Sequence, residues 1–184
     1  HQYEKINGLY QLLSGNRKNS RMDIETYVQR HYLEQILEAA NQRFQDMSAG
    51  QFELRMCDID KAGTGKNRGL DLMVYSAVTG KVREVRTLSG GESFMAALSL
   101  ALGMADQIQE SSAAINLDMM FIDEGFGSLD EHSRDQAVKV LQNMAEGEKL
   151  IGIISHVTEL KQEIEDQLSV TKDDQGSHTR WQIS

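Results

Sequence analysis

The chain has 184 residues, 40% of them hydrophobic, which suits one folded domain of ordinary size with a core of its own. No apolar run approaches the ~20 residues of a membrane span. A net charge of -9 excludes a surface that coats nucleic acid throughout, but leaves room for a local basic strip.

The polar opening "HQYEKINGLY" carries no secretory signal and reads as the interior of a helix rather than a natural start. From Gly8 to Arg21 the chain passes from a helix end into a turn-like loop with the basic residues Arg17, Lys18 and Arg21. A long helix follows. Asp23 can cap it, and Ile24, Tyr27, Val28, His31, Ile36, Leu37, Ala40, Phe44 and Met47 recur near the helical period. Ser48-Ala49-Gly50 stops it. The period then changes. Phe52, Leu54 and Met56 alternate with polar neighbours, as do the flanks of "LDLMVY" and "VREVR", and "SAVTGK" joins the last two as a hairpin. These segments predict an antiparallel meander. The single cysteine, Cys57, permits no internal disulfide and fits a reducing, cytoplasmic compartment.

"AGTGKNRG" (Ala62 to Gly69) invites comparison with a phosphate loop, which requires G-x-x-x-x-G-K-[ST] opening a helix. Here Asp60 stands at the first glycine position, Asn67 stands at the hydroxyl position, and a strand follows. The segment is a loop and no P-loop.

From about Gly91 to Gln109 the sequence is helical and apolar around most of its circumference, which predicts a buried helix. "INLDMMFID" is a short apolar run, "SRDQAVKVLQNMAEG" an amphipathic helix, and "KLIGIISH" a second apolar strand. Strand, helix, strand at this spacing predicts a βαβ unit and a parallel sheet covered by helices. The tail from Thr158 predicts a short charged helix and a last strand, "TRWQIS".

Ligands of open parallel sheets sit at the carboxyl ends of the strands. One predicted strand ends in Asp123-Glu124 and the other in Ser155-His156. An aspartate there can hold a metal, directly or through water, and a neighbouring glutamate can orient or deprotonate an attacking water. The same acids can equally cap a helix, and a single histidine can be an ordinary surface residue. Ser89-Gly90-Gly91-Glu92 opens the apolar helix. Glycines free the backbone N–H groups there, Ser89 adds a hydroxyl, and the helix dipole favours an anion such as a phosphate. Alone, this is a capped helix with a flexible entry. The order "LSGGE", apolar run, "DE", "SLD", apolar strand ending in histidine is far more specific.

That order resembles the ATP-binding-cassette ATPases. Leu88-Ser89-Gly90-Gly91-Glu92 is similar to their signature motif, Phe121-Ile122-Asp123-Glu124 to the Walker B strand, Ser128-Leu129-Asp130 to the D-loop, and His156 to the switch histidine. Transporters of the superfamily usually place proline after the Walker B glutamate. This chain has no proline and reads "DEGFGSLD". With "GGESFMAALSLALGMAD" and "IGIISHVTEL", that resembles the SbcC proteins, bacterial DNA-repair ATPases of the SMC-like group. The resemblance covers about residues 8 to 172 and leaves the last dozen unmatched.

The resemblance implies an α/β fold, the C-terminal lobe of an ABC-type ATPase head, with a parallel βαβ sheet, an antiparallel meander and a long N-terminal helix. It implies residues 1–22 as coiled-coil root and loop and residues 23–184 as the lobe. It also implies that the P-loop and Q-loop lie in a separate N-terminal half, reached through a long coiled coil. Asp123 would hold Mg²⁺, and Glu124 and His156 would serve catalysis on ATP bound by their own head. Ser89, Gly90, Gly91 and Glu92 would grip the γ-phosphate of ATP held by a second SbcC molecule, with Asp130 at the seam. The implied partners are the N-terminal half of the same chain, the second SbcC, the SbcD nuclease and double-stranded DNA, with no membrane. The histidines show no ligand-spaced pair, so cutting would belong to SbcD. The basic loop at Arg17 to Arg21 would meet SbcD or DNA, or simply be solvated. Two other readings stay open: an SMC-type chromosome-organising head, and a non-catalytic dimerisation and docking module.

Overall fold

A computed structural model describes residues 2–14, 22–58, 69–111, 117–145 and 149–183. The basic loop residues Arg17, Lys18 and Arg21, and the "AGTGKNRG" loop up to Arg68, lie outside them. The chain divides into two compact units, His1–Leu117 and Asp118–Ser184. Among the described residues no helix is long and apolar enough to cross a membrane.

The first unit opens with helix α1 (Gln2–Leu13) and continues with α2 (Ile24–Met47). Asp23 caps α2 as its sequence suggests: the carboxylate accepts the Thr26 N–H at 2.7 Å. At the other end Ala49 (φ 51°) and Gly50 (φ 74°) turn left-handed. Gly50 N–H donates to the Gln45 carbonyl at 2.7 Å and Ala49 N–H to that of Asp46 at 3.4 Å, the bond pattern of a Schellman stop. Leu37, Ala40, Phe44 and Met47 are buried at helical spacing, whereas Ile24, Tyr27 and Val28 are exposed. The apolar stripe of α2 therefore enters the core only in its second half.

The meander is antiparallel, in the order β1 (Phe52–Met56), β2 (Leu72–Ser76), β3 (Lys81–Glu84). Leu54 pairs with Val74, and Tyr75 with Val82. Alternation places Phe52, Leu54 and Val74 on the buried face, where the Phe52 ring stacks on Phe44 at 6.0 Å. Each large side chain buried this completely stabilises the fold by roughly 1.5–3 kcal/mol. The third strand is shorter than "VREVR" suggests, because Val85–Thr87 tighten into a 3₁₀ turn.

Helix α3 (Gly90–Ser111) packs on α2 at close range. The approach requires Gly103: a Cβ there would lie 2.7 Å from the Ile36 carbonyl oxygen and 2.9 Å from the Ala40 nitrogen. Arg43 of α2 and Asp106 of α3 form an ion pair at 2.6 Å beside it. The expectation that α3 is buried all round does not hold. Met95, Leu98, Leu102 and Ala105 are buried, but Ser93, Ala97, Ala101 and Met104 form an exposed stripe. Small residues make α3 apolar in composition without giving every face something to pack against.

The second unit contains the expected βαβ: β4 (Met119–Asp123), α4 (Glu131–Ala145) and β5 (Leu150–Ile154). β4 and β5 pair in parallel, with Phe121 opposite Gly152 and Asp123 opposite Ile154. Ala137, Val138 and Leu141 form the buried stripe of α4. One face of the pair carries Met119, Phe121, Leu150 and Ile154, all more than half exposed. Gly152 lies under the Phe121 ring, so a Cβ there would fall 2.5 Å from ring carbons.

The tail departs from its sequence reading. The charged helix α5 is only Leu160–Glu163, and not one strand but two follow, β6 (Gln167–Asp173) and β7 (Gly176–Gln182), paired as a hairpin. Gly176 takes φ 128° in the turn, and Asp173 accepts the Gln175 N–H at 2.8 Å.

Candidate functional site

The predicted residues fall in both units and are described within each. In the second unit, Asp123 is the last residue of β4 and Glu124 follows it. Glu124 N–H donates to the Ile154 carbonyl at 2.8 Å, which prolongs the parallel ladder by one rung. Glu124 then takes φ 59° and Gly125 φ 100°. The left-handed turn at a non-glycine residue costs about 1–2 kcal/mol. It lets the chain leave the sheet at once, with the Glu124 side chain at the sheet's carboxyl edge. β5 brings His156 to the same edge. Its Nδ1 lies 2.9 Å from Glu124 Oε2 and 3.0 Å from Oε1. Asp123, Glu124 and His156 are thus brought together, and all three are exposed.

Asp130 lies beyond a 3₁₀ turn, Phe126–Ser128, that is anchored by the buried Phe126 ring and by Ser128 Oγ donating to the Gly125 carbonyl at 2.7 Å. Asp130 caps α4. Its two carboxylate oxygens accept from Ser133 N–H (2.8 Å) and Ser133 Oγ–H (3.1 Å). The backbone bond first, and the hydroxyl second, hold its carboxyl below the usual aspartate range.

In the first unit, Ser89 to Glu92 form the start of α3. Ser89 N–H donates to Glu92 Oε2 at 2.8 Å, and Glu92 N–H donates to Ser89 Oγ at 3.3 Å. This is a reciprocal capping box. It leaves the Ser89 hydroxyl proton available, and the first-turn N–H groups of Gly90 and Gly91 have no helical partner of their own.

Sequence reasoning missed Arg83. From β3 its guanidinium donates to the Thr87 carbonyl (2.6 Å), the Thr87 hydroxyl (3.1 Å) and Glu92 Oε2 (3.2 Å). It also lies 5.6 Å from the centre of the Phe52 ring. The available signal was an arginine on the inward-facing register of a strand, where an unpaired cation has no place.

Among the described residues no three His, Cys, Asp or Glu side chains cluster as a metal cage. Mg²⁺ bound to a nucleotide uses one or two carboxylates and completes its octahedron with water and phosphate oxygens. Asp123, an exposed carboxylate at the strand end, has the right chemistry.

Solved structures place the fold in a class. One chain, from work on the structural biochemistry of ATP-driven dimerization and DNA-stimulated activation of SMC ATPases, aligns with TM-score 0.65 and 15% identity over 85% of this chain and 88% of that one. The Smc head domain of Pyrococcus furiosus bound to the C-terminal domain of ScpA aligns with TM-score 0.61 and 17% identity over 86% of this chain and 37% of that one. Over these spans the fold is the one seen in SMC head domains. Residues 70–143 match the family model described as SbcC/RAD50-like, Walker B motif. The chain is 46% identical over 175 residues to the SbcC protein of the SbcCD nuclease of Treponema pallidum, covering 95% of this chain and 16% of that protein. It is 44% identical over 179 residues to the Vibrio cholerae protein of the same name, covering 97% and 18%. The chain is thus similar over nearly its whole length to SbcC proteins, and over residues 70–143 to the SbcC/RAD50-like family. It spans less than a fifth of the length of these relatives.

Proposed function

We propose that this chain is the C-terminal half of the ATPase head of an SbcC-type protein, acting in an ATP-dependent nuclease complex that processes double-stranded DNA ends during repair. The observation that carries the reading is the meeting of Asp123, Glu124 and His156 at the carboxyl end of β4 and β5. Asp123 would hold Mg²⁺ there, and the ion would neutralise charge that develops on the phosphates. Glu124 orients the attacking water and accepts its proton, and His156 steadies the Glu124 carboxylate and faces the γ-phosphate. The start of α3, with Ser89, Gly90, Gly91 and Glu92, binds the γ-phosphate of ATP on a second SbcC molecule, and Asp130 lies at the seam between the two heads.

The P-loop comes from the N-terminal half of the same protein. The exposed apolar face at Met119, Phe121, Leu150 and Ile154 supports this, because parallel sheets are ordinarily covered on both faces. The relatives are named as one component of a nuclease called SbcCD, which supports SbcD as the partner that cuts. Double-stranded DNA is the substrate and the cytoplasm the compartment.

The test uses the complete protein. Glu124→Gln keeps the side chain's shape but cannot take the proton. Turnover should fall by roughly 10²–10⁴-fold, while ATP binding holds and paired heads accumulate. Asp123→Asn should weaken Mg²⁺-dependent binding itself. Near-normal turnover in Glu124→Gln, or equal loss of binding in both variants, would overturn the division of roles.

A further inference from the structure

We propose that Arg83 is a positioning residue for the phosphate-binding start of α3, acting through Glu92; the inference rests on the proposed role of Ser89 to Glu92 in gripping a γ-phosphate. An anion site that contains its own carboxylate has an electrostatic problem. Glu92 stands in the first turn, three residues after Ser89, and a bare carboxylate there would repel a γ-phosphate. Two observations answer it. Glu92 Oε2 is turned back onto Ser89 N–H at 2.8 Å. The same oxygen is met by Arg83 Nη2 at 3.2 Å, and both side chains are only about a third exposed or less (34% and 26%). The cation compensates the carboxylate and holds it away from the place an anion would take.

Arg83 also fixes geometry. Its other terminal nitrogen binds the carbonyl and hydroxyl of Thr87 at 2.6 and 3.1 Å. Thr87 Oγ–H in turn closes on the Glu84 carbonyl at 2.6 Å. One rigid guanidinium fork therefore clamps the chain on both sides of Leu88-Ser89-Gly90-Gly91. Two consecutive glycines lose more freedom on ordering than any other pair. Anchoring their flanks to β3 removes part of that cost before the anion arrives. A lysine has one compact charge and no fork, so it can compensate Glu92 or hold Thr87, but not both in this geometry.

The test is ATP-driven head pairing in the complete protein, followed by light scattering with a non-hydrolysable ATP analogue. Arg83→Gln should raise the analogue concentration needed for half-maximal pairing on the order of tenfold, as for loss of one charge-assisted hydrogen bond, and leave nucleotide binding by a single head unchanged. Arg83→Lys should fall between Arg83→Gln and the parent. Adding Glu92→Gln to Arg83→Gln should recover much of the loss, since the charge needing compensation is gone. A purely structural arginine would give no such rescue. Normal pairing by Arg83→Gln, or a double variant no better than the single one, would overturn the proposal. Ser89→Arg, run in parallel, separates the two readings. If it pairs normally, the phosphate site itself is misassigned; if it fails to pair while Arg83→Gln pairs normally, only the role of Arg83 is wrong.

Discussion

His156 meets Glu124 through Nδ1, at 2.9 Å from Oε2, and not through Nε2. An ionised carboxylate only accepts, so Nδ1 must carry the proton. Nε2 is then the nitrogen that is free to accept from, or when protonated donate to, a ligand. The neutral ring of the parent chain should therefore favour the Nδ1–H tautomer, and Glu124→Ala should shift it toward Nε2–H. Ring ¹⁵N chemical shifts distinguish the two. An unchanged tautomer ratio in Glu124→Ala would mean that the contact does not orient the imidazole.

The chain by itself should release no phosphate from ATP. Its only glycine-rich lysine loop fails the P-loop pattern at Asp60 and Asn67, and the backbone cradle with its lysine supplies most of the grip on the phosphates. Steady turnover by the purified chain that Glu124→Gln abolishes would contradict this.

The packing of α3 on α2 should tolerate no side chain at Gly103. Its would-be Cβ neighbours at 2.7 and 2.9 Å are backbone atoms, which cannot rotate away. Gly103→Ala should destabilise the fold by about 1–3 kcal/mol. Ala49→Gly should act in the other direction, since Ala49 sits at φ 51° in a position that favours glycine; a gain of about 1 kcal/mol is expected. Urea unfolding of the two variants beside the parent measures both effects.

Acid should weaken the cap of α2. The backbone bond from Thr26, and then its side chain, hold the Asp23 carboxyl below its ordinary value of 3.8. A group depressed in the folded state contributes stability above its unfolded pKa and loses that contribution as pH falls through the folded value. The Asp23 contribution should therefore be constant from neutrality down to about pH 5 and be lost as pH falls through the folded-state value, which lies below 3.8. Asn also caps but does not titrate. Melting curves of Asp23→Asn should fall less steeply over that acid range than those of the parent, and parallel curves would remove Asp23 from the acid response.

Much of this architecture is legible in the sequence because local chemistry and burial agree. Asp23 and Ser48-Ala49-Gly50 bracket α2 with end signals that work through the backbone alone. The alternation at Phe52, Leu54 and Met56, and the apolar runs flanking the amphipathic α4, carry the strand periods directly. The edge at Asp123, Glu124 and His156 follows from where strands end. Other features depend on partners that a sequence does not display. β6 escapes notice because Leu168 and Val170 alternate within a polar, charged segment, although Asp173 and Gly176 bracket a recognisable turn. The exposed stripe of α3 is hidden because Ala97 and Ala101 count as apolar whether or not anything covers them. Arg83 signals only that an inward-facing strand cation needs a partner, not which one, because its partners lie four and nine residues onward, around a 3₁₀ turn that breaks any simple period.

The side-chain amide of Asn41 donates to the Leu54 carbonyl at 2.8 Å and accepts the Leu54 N–H at 2.7 Å. β1 is an edge strand of the meander, and these are the groups with which an edge recruits a foreign strand. One asparagine, presented by α2, thus imitates a rung of a neighbouring strand and closes the middle of that edge. The meander can remain three strands wide without serving as a template for amyloid-like or swapped pairing, and Asn41→Ala would reopen it to self-association.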